Sequence, residues 1–160
     1  METQLFKCFI ASPSDVQAER NACDSILDEV NKNIGSIQGF RIETVKWEKD
    51  AVPAFASDGQ EVINEQLDPG GHAFFIGIFW KRFGNPTNRA ESGTVEEFNQ
   101  AYENWKKTGT PNIQIYFNNS PIPPSEISTD DLEKINNFKK TVSEKGGLYT
   151  TYSCDFSIYF

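Results

Sequence analysis

The sequence has few of the residues from which metal sites and hydrolytic triads are built. His72 is the one histidine in 160 residues, so a histidine-rich metal site or a Ser/His triad would depend on it alone. It follows a Pro-Gly-Gly turn, and we expect a solvated turn residue. No His-x-Glu occurs together with Cys-x-x-Cys, which excludes a zinc deaminase of that pattern. We therefore expect no metal site and no bound cofactor.

Cysteine and long apolar segments are also scarce. Cys8, Cys23 and Cys154 are an odd number without Cys-x-x-Cys spacing, which is typical of reduced thiols in a cytoplasmic protein. No apolar run approaches the roughly 20 residues that span a bilayer. The N-terminal residues resemble neither a signal peptide nor an amphipathic leader.

Positive charge is in deficit, and the standard phosphate-binding motifs are missing. A formal net charge of −8 and a pI near 4.7 disfavour direct binding to nucleic acid or to an anionic membrane. Neither Gly-x-Gly-x-x-Gly nor a Walker A sequence is present, so the common dinucleotide and P-loop motifs are excluded.

Segments with the periodicity of strands alternate with segments of helical periodicity. Strands are predicted at residues 5–11, 40–47, 73–79, 111–117 and 148–152, and helices at 15–34, 60–67, 93–105 and 129–145. Ser14 and Thr129 are the expected N-caps of the first and last helices. The alternation predicts an α/β fold with a parallel sheet covered on both faces. We expect residues 1–160 to form a single domain, the N-terminal part of a longer protein.

Two adjacent glutamates near the start of the helix at 93–105 are distinguished by helical geometry. The apolar face contains Val95, Phe98, Ala101, Tyr102 and Trp105. Glu96 is roughly 160° from the centre of that face and is predicted to face solvent, whereas Glu97 is about 100° away, at its boundary. Glu97 follows a buried strand and a polar loop, where α/β proteins bind ligands, and is the candidate catalytic residue. The alternative is an acid that merely stabilises the helix dipole.

The segment Ser12-Pro13-Ser14 lies between the first strand and the first helix. Backbone N–H groups at such a helix start can bind a phosphate or another polar ligand group. The same residues would serve equally well as a simple helix entry.

Several segments, which follow one another along the chain in the order found in the family, resemble the bacterial branch of the TIR-like superfamily. They are FIASPSDVQAER, FFIGIFWKRFGNP, SGTVEEFNQA and PNIQIYF. The likeness is closest to the TIR-like domains at the N-termini of prokaryotic defence and signalling proteins. Ser92 and Glu97 have the five-residue spacing of the TIR catalytic Glu and its preceding Ser. Gly93, Thr94 and Glu97 also match the Gly-Thr-x-x-Glu pattern of the more distant nucleoside deoxyribosyltransferases.

The resemblance implies a flavodoxin-like three-layer sandwich with about five parallel strands. It also implies cleavage of the nicotinamide-ribose bond of NAD+ as substrate, with some relatives cyclising the product, in antiviral defence signalling. In that interpretation Glu97 contacts the ribose, and Ser12, Pro13, Ser14, Ser92 and Thr94 help to bind substrate. Trp80 or Phe83 would stack on a ring, the alternative for both being core packing.

The resembled family often assembles through the loop after the second strand, here residues 48–60. Phe55 would suit such an interface, although the family's loop signature is missing. We expect a homo-oligomer formed by TIR–TIR contacts, together with a C-terminal sensor domain or partner protein. A monomeric preparation should have little activity. Two alternatives remain open: a non-catalytic assembly module, and an N-glycosidase or transferase acting on nucleosides or nucleotides.

Overall fold

Five parallel strands form one sheet in the computed structural model, which describes residues 2–46, 53–54, 58–69 and 71–153. The strands are short, and the central one, FFIGIF, is apolar throughout, as expected for a strand covered on both faces. The strands are β1 Gln4–Ala11, β2 Phe40–Val45, β3 Phe74–Phe79, β4 Asn112–Asn118 and β5 Thr150–Tyr152. Their order is β2-β1-β3-β4-β5, and every neighbouring pair is parallel. This is the flavodoxin-like order, so the predicted fold class is confirmed.

Helices connect successive strands. Helix α1 is Gln17–Val30 and continues through a π-helical segment, Asn31–Gly35, and a helical turn, Ser36–Gln38. Helices α2 (Gly59–Leu67), α3 (Gly93–Thr108) and α4 (Thr129–Glu144) follow. No helix within the described ranges is long and apolar enough to cross a membrane.

The two faces of the sheet carry separate hydrophobic clusters because alternate side chains of a strand point in opposite directions. Phe9 and Phe75 lie on the face covered by α2, α3 and α4, which contribute Leu67, Phe98 and Phe138. On the other face, Ile10 and Ile76 pack with Cys23 and Leu27 of α1. The result is a three-layer sandwich in which α1 lies opposite α3.

Short polar side chains cap three of the four long helices in the described part of the chain. Asp58, Ser92 and Ser128 accept hydrogen bonds from the backbone N–H groups of the third residue beyond them. The predicted cap Thr129 is wrong by one position. Ser14 is also wrong, since α1 begins only at Gln17 and its N-cap position, Val16, makes no side-chain cap.

Strand β2 is at the edge of the sheet, and its sequence FRIETV alternates apolar with polar residues, which is typical of an edge strand. It pairs with β1 on one side, and the end of α1 is fastened to it by Asn31. The Asn31 side chain donates to the Ile42 carbonyl and accepts from the Ile42 N–H, each at 2.8 Å. This reciprocal pair gives the edge strand backbone partners that a neighbouring strand would otherwise supply.

Candidate functional site

A cavity of about 410 Å³ opens at the carboxyl ends of β1 and β3. From β1 the chain enters α1 on one face, and from β3 it enters α3 on the other, so the cavity lies at the topological switch point where α/β folds bind ligands. Its described lining comes from both loops, α1, α2 and α3. The lining residues are Ser12, Pro13, Ser14, Gln17, Arg20, Gln60, Ile63, Gly84, Asn85, Gly93, Thr94 and Glu97.

Glu97 contributes a carboxylate to this cavity from α3. Its residue is only 4% exposed, so the cavity rather than bulk solvent is the polar surface it meets. Gln60 Nε2 of α2 donates to Glu97 Oε1 at 3.2 Å. A buried carboxylate fixed by a donor from another helix has a defined direction, which is what a group acting on a bound ligand requires.

The prediction that Glu96 faces solvent is wrong. Glu96 is also 4% exposed, because the loop after β3 and helix α2 cover the side of α3 that a helical wheel assigns to water. Its carboxylate accepts hydrogen bonds from Thr87 Oγ1 at 2.6 Å and from the Asn64 amide, and forms an ion pair with Arg89 Nε at 3.0 Å. Glu96 thus has a structural set of partners outside the cavity.

Arg89 joins the Glu96 network to the start of α2. Its Nη2 contacts Asp58 Oδ1 at 2.8 Å, while its Nε contacts Glu96. The hydrogen bond from Arg89, followed by the backbone N–H groups of Glu61 and Asn88, lowers the pKa of Asp58 from 3.8 to about 2. The loop between β3 and α3 is thereby attached to α2, and this same loop supplies Gly84 and Asn85 to the cavity.

Arg20 brings a positive charge to the opposite wall of the cavity. It lies in α1, is 2% exposed, and donates from Nη1 to Ser12 Oγ at 2.6 Å. The guanidinium and the loop after β1 are therefore joined directly. The cavity has a cationic side chain on the α1 side and the Glu97 carboxylate on the α3 side.

Predicted substrate-binding residues separate into two groups. The first group lines the same cavity as Glu97, and its role in binding stays a prediction. It consists of Ser12, Pro13, Ser14 and Thr94. Ser92 is fully buried and caps α3 through Val95 N at 3.2 Å, and it is not among the described lining residues. Ser92 therefore fixes the start of the helix that carries the Glu97 carboxylate five residues later.

Neither of the proposed stacking residues is among the described residues that line the cavity. Phe83 is 1% exposed and packs against Phe79 and Phe138 in the core, which agrees with the core-packing alternative. Trp80 packs beside the α1 cluster, and its Nε1 donates to the Ser120 carbonyl at 3.2 Å. Both aromatic residues build the loop after β3 rather than the cavity wall.

Comparison with known proteins identifies the family. A family model described as "Domain of unknown function (DUF4062)" matches residues 7–158. The chain belongs to the DUF4062 family. This domain is also similar to a solved structure, the "conserved protein from Enterococcus faecalis V583", with 11% identity and a TM-score of 0.38 over 94% of this chain and 92% of that one. No curated protein matches the sequence.

His72 of the DUF4062 domain is not the solvated turn residue that we expected. Its ring stacks on Phe9 with centroids 5.8 Å apart, and Nε2 lies 2.7 Å from the Leu67 carbonyl oxygen. Burial lowers the pKa of His72. The side chain therefore packs the turn before β3 onto the sheet and is not among the described residues lining the cavity.

Two residues that line the cavity of the DUF4062 domain, Arg20 and Gln60, were not predicted from the sequence. Arg20 lies four residues after Val16 and three before Cys23, so it is a charge on the apolar face of α1. Such a residue can be found from the sequence by its mismatch with its neighbours. Gln60 carries no comparable signal, because only the packing of α2 against α3 places it near Glu97. The predicted assembly residue Phe55 lies outside the described residues.

Proposed function

We propose that this domain is an NAD+ glycohydrolase that cleaves the nicotinamide-ribose bond. The observation that carries the proposal is the position of Glu97, which is buried, oriented by Gln60 and directed to a cavity at the switch point of the sheet. The resemblance to TIR-like NAD+-cleaving domains selects the same residue by its spacing from Ser92.

The size and charge of the cavity support this substrate. A volume of about 410 Å³ falls within the roughly 300–1,000 Å³ of small-molecule pockets. NAD+ carries a cationic nicotinamide ring and an anionic diphosphate. A cavity with Glu97 on one wall and Arg20 on the other offers an opposite charge to each part.

The proposed reaction is dissociation of the bond between ribose C1′ and the nicotinamide nitrogen. The bonding electron pair leaves with nicotinamide and neutralises its ring, so no general acid is needed for departure. Positive charge then develops on the ribose, and the Glu97 carboxylate stabilises it. Water adds to C1′ and loses a proton, which gives ADP-ribose. Attack by the adenine of the same molecule instead of water would give a cyclic product.

Nicotinamide release by matched glutamine variants tests the proposal. Glu97→Gln and Glu96→Gln remove the same charge from adjacent, equally buried positions, but only Glu97 lines the cavity. We expect Glu97→Gln to lower kcat by about 100- to 1,000-fold, the usual effect of removing one electrostatic transition-state contact. Glu96→Gln should retain turnover at temperatures where it remains folded. Equal turnover by Glu97→Gln and the parent would refute the proposal.

The hydrogen bond between Gln60 and Glu97 also favours a second candidate, a non-catalytic assembly module. In that case Glu97 only joins α2 to α3, and an assembled protein would leave NAD+ intact. The third candidate, an N-glycosidase or transferase for smaller nucleosides or nucleotides, uses the same carboxylate on a different sugar. Mass spectrometry after incubation with a nucleoside and nucleotide panel distinguishes it from the NAD+ enzyme.

The resemblance supports a setting as well as a reaction. We propose a cytoplasmic protein of antiviral defence in which TIR–TIR contacts create the active homo-oligomer, triggered through a C-terminal sensor domain or a partner protein. Specific activity should then rise with protein concentration. Full turnover at dilutions where light scattering finds only monomer would contradict the requirement for assembly.

A further inference from the structure

We infer that Arg20 forms an anion subsite that makes the cavity selective for ribosides carrying a 5′-phosphate or diphosphate over the corresponding nucleosides. The inference deepens the proposed function, because it assumes that the ribose lies at Glu97. It names which wall of the cavity binds the phosphate and which side chain recognises it.

The position of Arg20 is unusual for a cation. Arg20 is 2% exposed, and a helix position as buried as this is normally occupied by an apolar side chain that packs in the core. Burial of a charge is costly unless other groups stabilise it. Here the same side chain lines a cavity of about 410 Å³. A buried guanidinium beside open space can interact strongly with an anion, because the surrounding protein screens the charge less than water does.

The orientation of the guanidinium is fixed by its neighbours. Nη1 donates to Ser12 Oγ at 2.6 Å, which ties the Arg20 side chain to the loop after β1. The Arg20 backbone carbonyl accepts from Lys46 Nζ at 3.1 Å, and Lys46 in turn pairs with Asp24 at 2.5 Å. Arg20 is thus anchored at both its backbone and its side chain, so little entropy would be lost when it binds a ligand.

Arginine suits a phosphate better than other side chains do. Its guanidinium has five N–H donors in a plane, and two of them can bind two phosphate oxygens at once. Ser12, which accepts from Arg20, and Ser14 add hydroxyl groups to the cavity lining. The charge and the geometry both favour a phosphate there over a neutral group.

The two charged walls set the order of groups along the ligand. Glu97 comes from α3 and Arg20 from α1, and these helices lie on opposite faces of the sheet. A ribose whose C1′ side meets Glu97 would direct its 5′ substituent toward Arg20. The ligand class is therefore a ribosyl 5′-phosphate, which includes mononucleotides and, through its diphosphate, NAD+.

Two nicotinamide substrates that differ only in the phosphate test the subsite during turnover. We expect kcat/KM for nicotinamide mononucleotide to exceed that for nicotinamide riboside by at least tenfold in the parent protein. Arg20→Gln should remove most of that ratio, because the substitution lowers kcat/KM for the mononucleotide far more than for the riboside. Arg20→Lys should restore part of the ratio, since it returns the charge without the planar fork.

A binding measurement separates this inference from the proposed reaction. Calorimetric titration of AMP and adenosine into the parent protein requires neither turnover nor a buried substitution that could impair folding. AMP should bind at least tenfold more tightly, and the preference should weaken as salt is added. A folded Arg20→Gln protein, verified by circular dichroism, should lose the preference.

The outcomes are distinguishable. Equal affinity for AMP and adenosine in the parent, or an unchanged preference in folded Arg20→Gln, overturns the anion subsite even if NAD+ is cleaved. An Arg20-dependent preference without nicotinamide release supports the subsite and refutes the proposed reaction. Absence of both binding and release overturns both.

Discussion

Gln60 Nε2 lies 3.2 Å from Glu97 Oε1 and 3.0 Å from Asn64 Oδ1. The Asn64 amide in turn donates to Glu96. Two residues one turn apart on α2 therefore bind two adjacent carboxylates on α3, one inside the cavity and one outside it. This pairing fixes the rotation of α3 relative to α2, and with it the direction of the candidate catalytic group.

Gly93→Ala should disturb Glu97 without unfolding the protein. A Cβ at Gly93 would clash with Gln60 Oε1, so the flexible end of Gln60 must move away from its position beside Glu97. If the proposed reaction is correct, we expect nicotinamide release to fall by about 10- to 100-fold, because small misplacements of catalytic groups have effects of that size. The melting temperature should change little.

Gly59→Ala is the matched control for that change. Gly59 is the residue before Gln60, and an added Cβ would meet nothing within 4 Å. Normal activity in Gly59→Ala together with a loss in Gly93→Ala would locate the effect at the contact with Gln60. An active Gly93→Ala protein would show that the orientation of Gln60 is unimportant.

Thr87→Val should destabilise the loop after β3. The Thr87 hydroxyl donates to Glu96 Oε1 at 2.6 Å and accepts from Ala90 N at 3.0 Å, while valine has nearly the same shape. Hydrogen bonds to charged groups contribute about 1.5–3 kcal/mol, and we expect the lower end because Thr87 is half-buried. Urea unfolding measures the loss, with the exposed Thr150→Val as a control that should change by less than about 0.5 kcal/mol.

Acid should weaken the attachment of α2 through Asp58. The Arg89 hydrogen bond and two backbone N–H groups lower the pKa of Asp58 from 3.8 to about 2 in the folded chain. The folded state therefore prefers the ionised carboxyl, so this stabilisation is complete above the unfolded pKa and is lost as the pH falls from about 4 toward 2. Melting temperatures of the parent should fall more steeply across this interval than those of Asp58→Asn. Parallel curves would contradict the prediction.

Cys8 and Cys23 should be inert in the native protein. Burial raises the pKa of each thiol from 9.0 to about 12, so almost no thiolate is present at pH 8. Cys8→Ala and Cys23→Ala variants should release as much thionitrobenzoate from Ellman's reagent as the native parent does. In guanidinium chloride each variant should release one equivalent less. A deficit in the native state would show that the substituted thiol is accessible.

The order of elements was predictable because each strand and helix carries its own periodicity. All five predicted strands agree with the structure to within two residues at each end, as at β3 and β4. The errors concern the N-caps of α1 and α4 and the end of α3, which continues three residues beyond the predicted end at Trp105. Ser128 rather than Thr129 caps α4, and the turn at Ser14 and Asp15 precedes α1.

Glu97 could be selected from the helical wheel, but its neighbour could not be assigned correctly. A wheel contains only one apolar direction, whereas α3 packs against the sheet and is also covered by α2 and the loop after β3. Glu96 is consequently buried on a side that the sequence pattern assigns to solvent. Buried polar networks are assembled by such lateral contacts, and residues distant in sequence, such as Asn64 and Thr87, supply the partners.

The sequence by itself determined the α/β class and the parallel sheet. Apolar periodicity is a local property, so it can be recognised in each segment without knowing which other segments pack against it. Tertiary structure alone decided that Gln60 orients Glu97, that Arg20 faces it across a cavity, and that Trp80 and Phe83 support the loop instead. Those relationships depend on which helices cover which face of the sheet, and distances between such elements are fixed only when the layers pack.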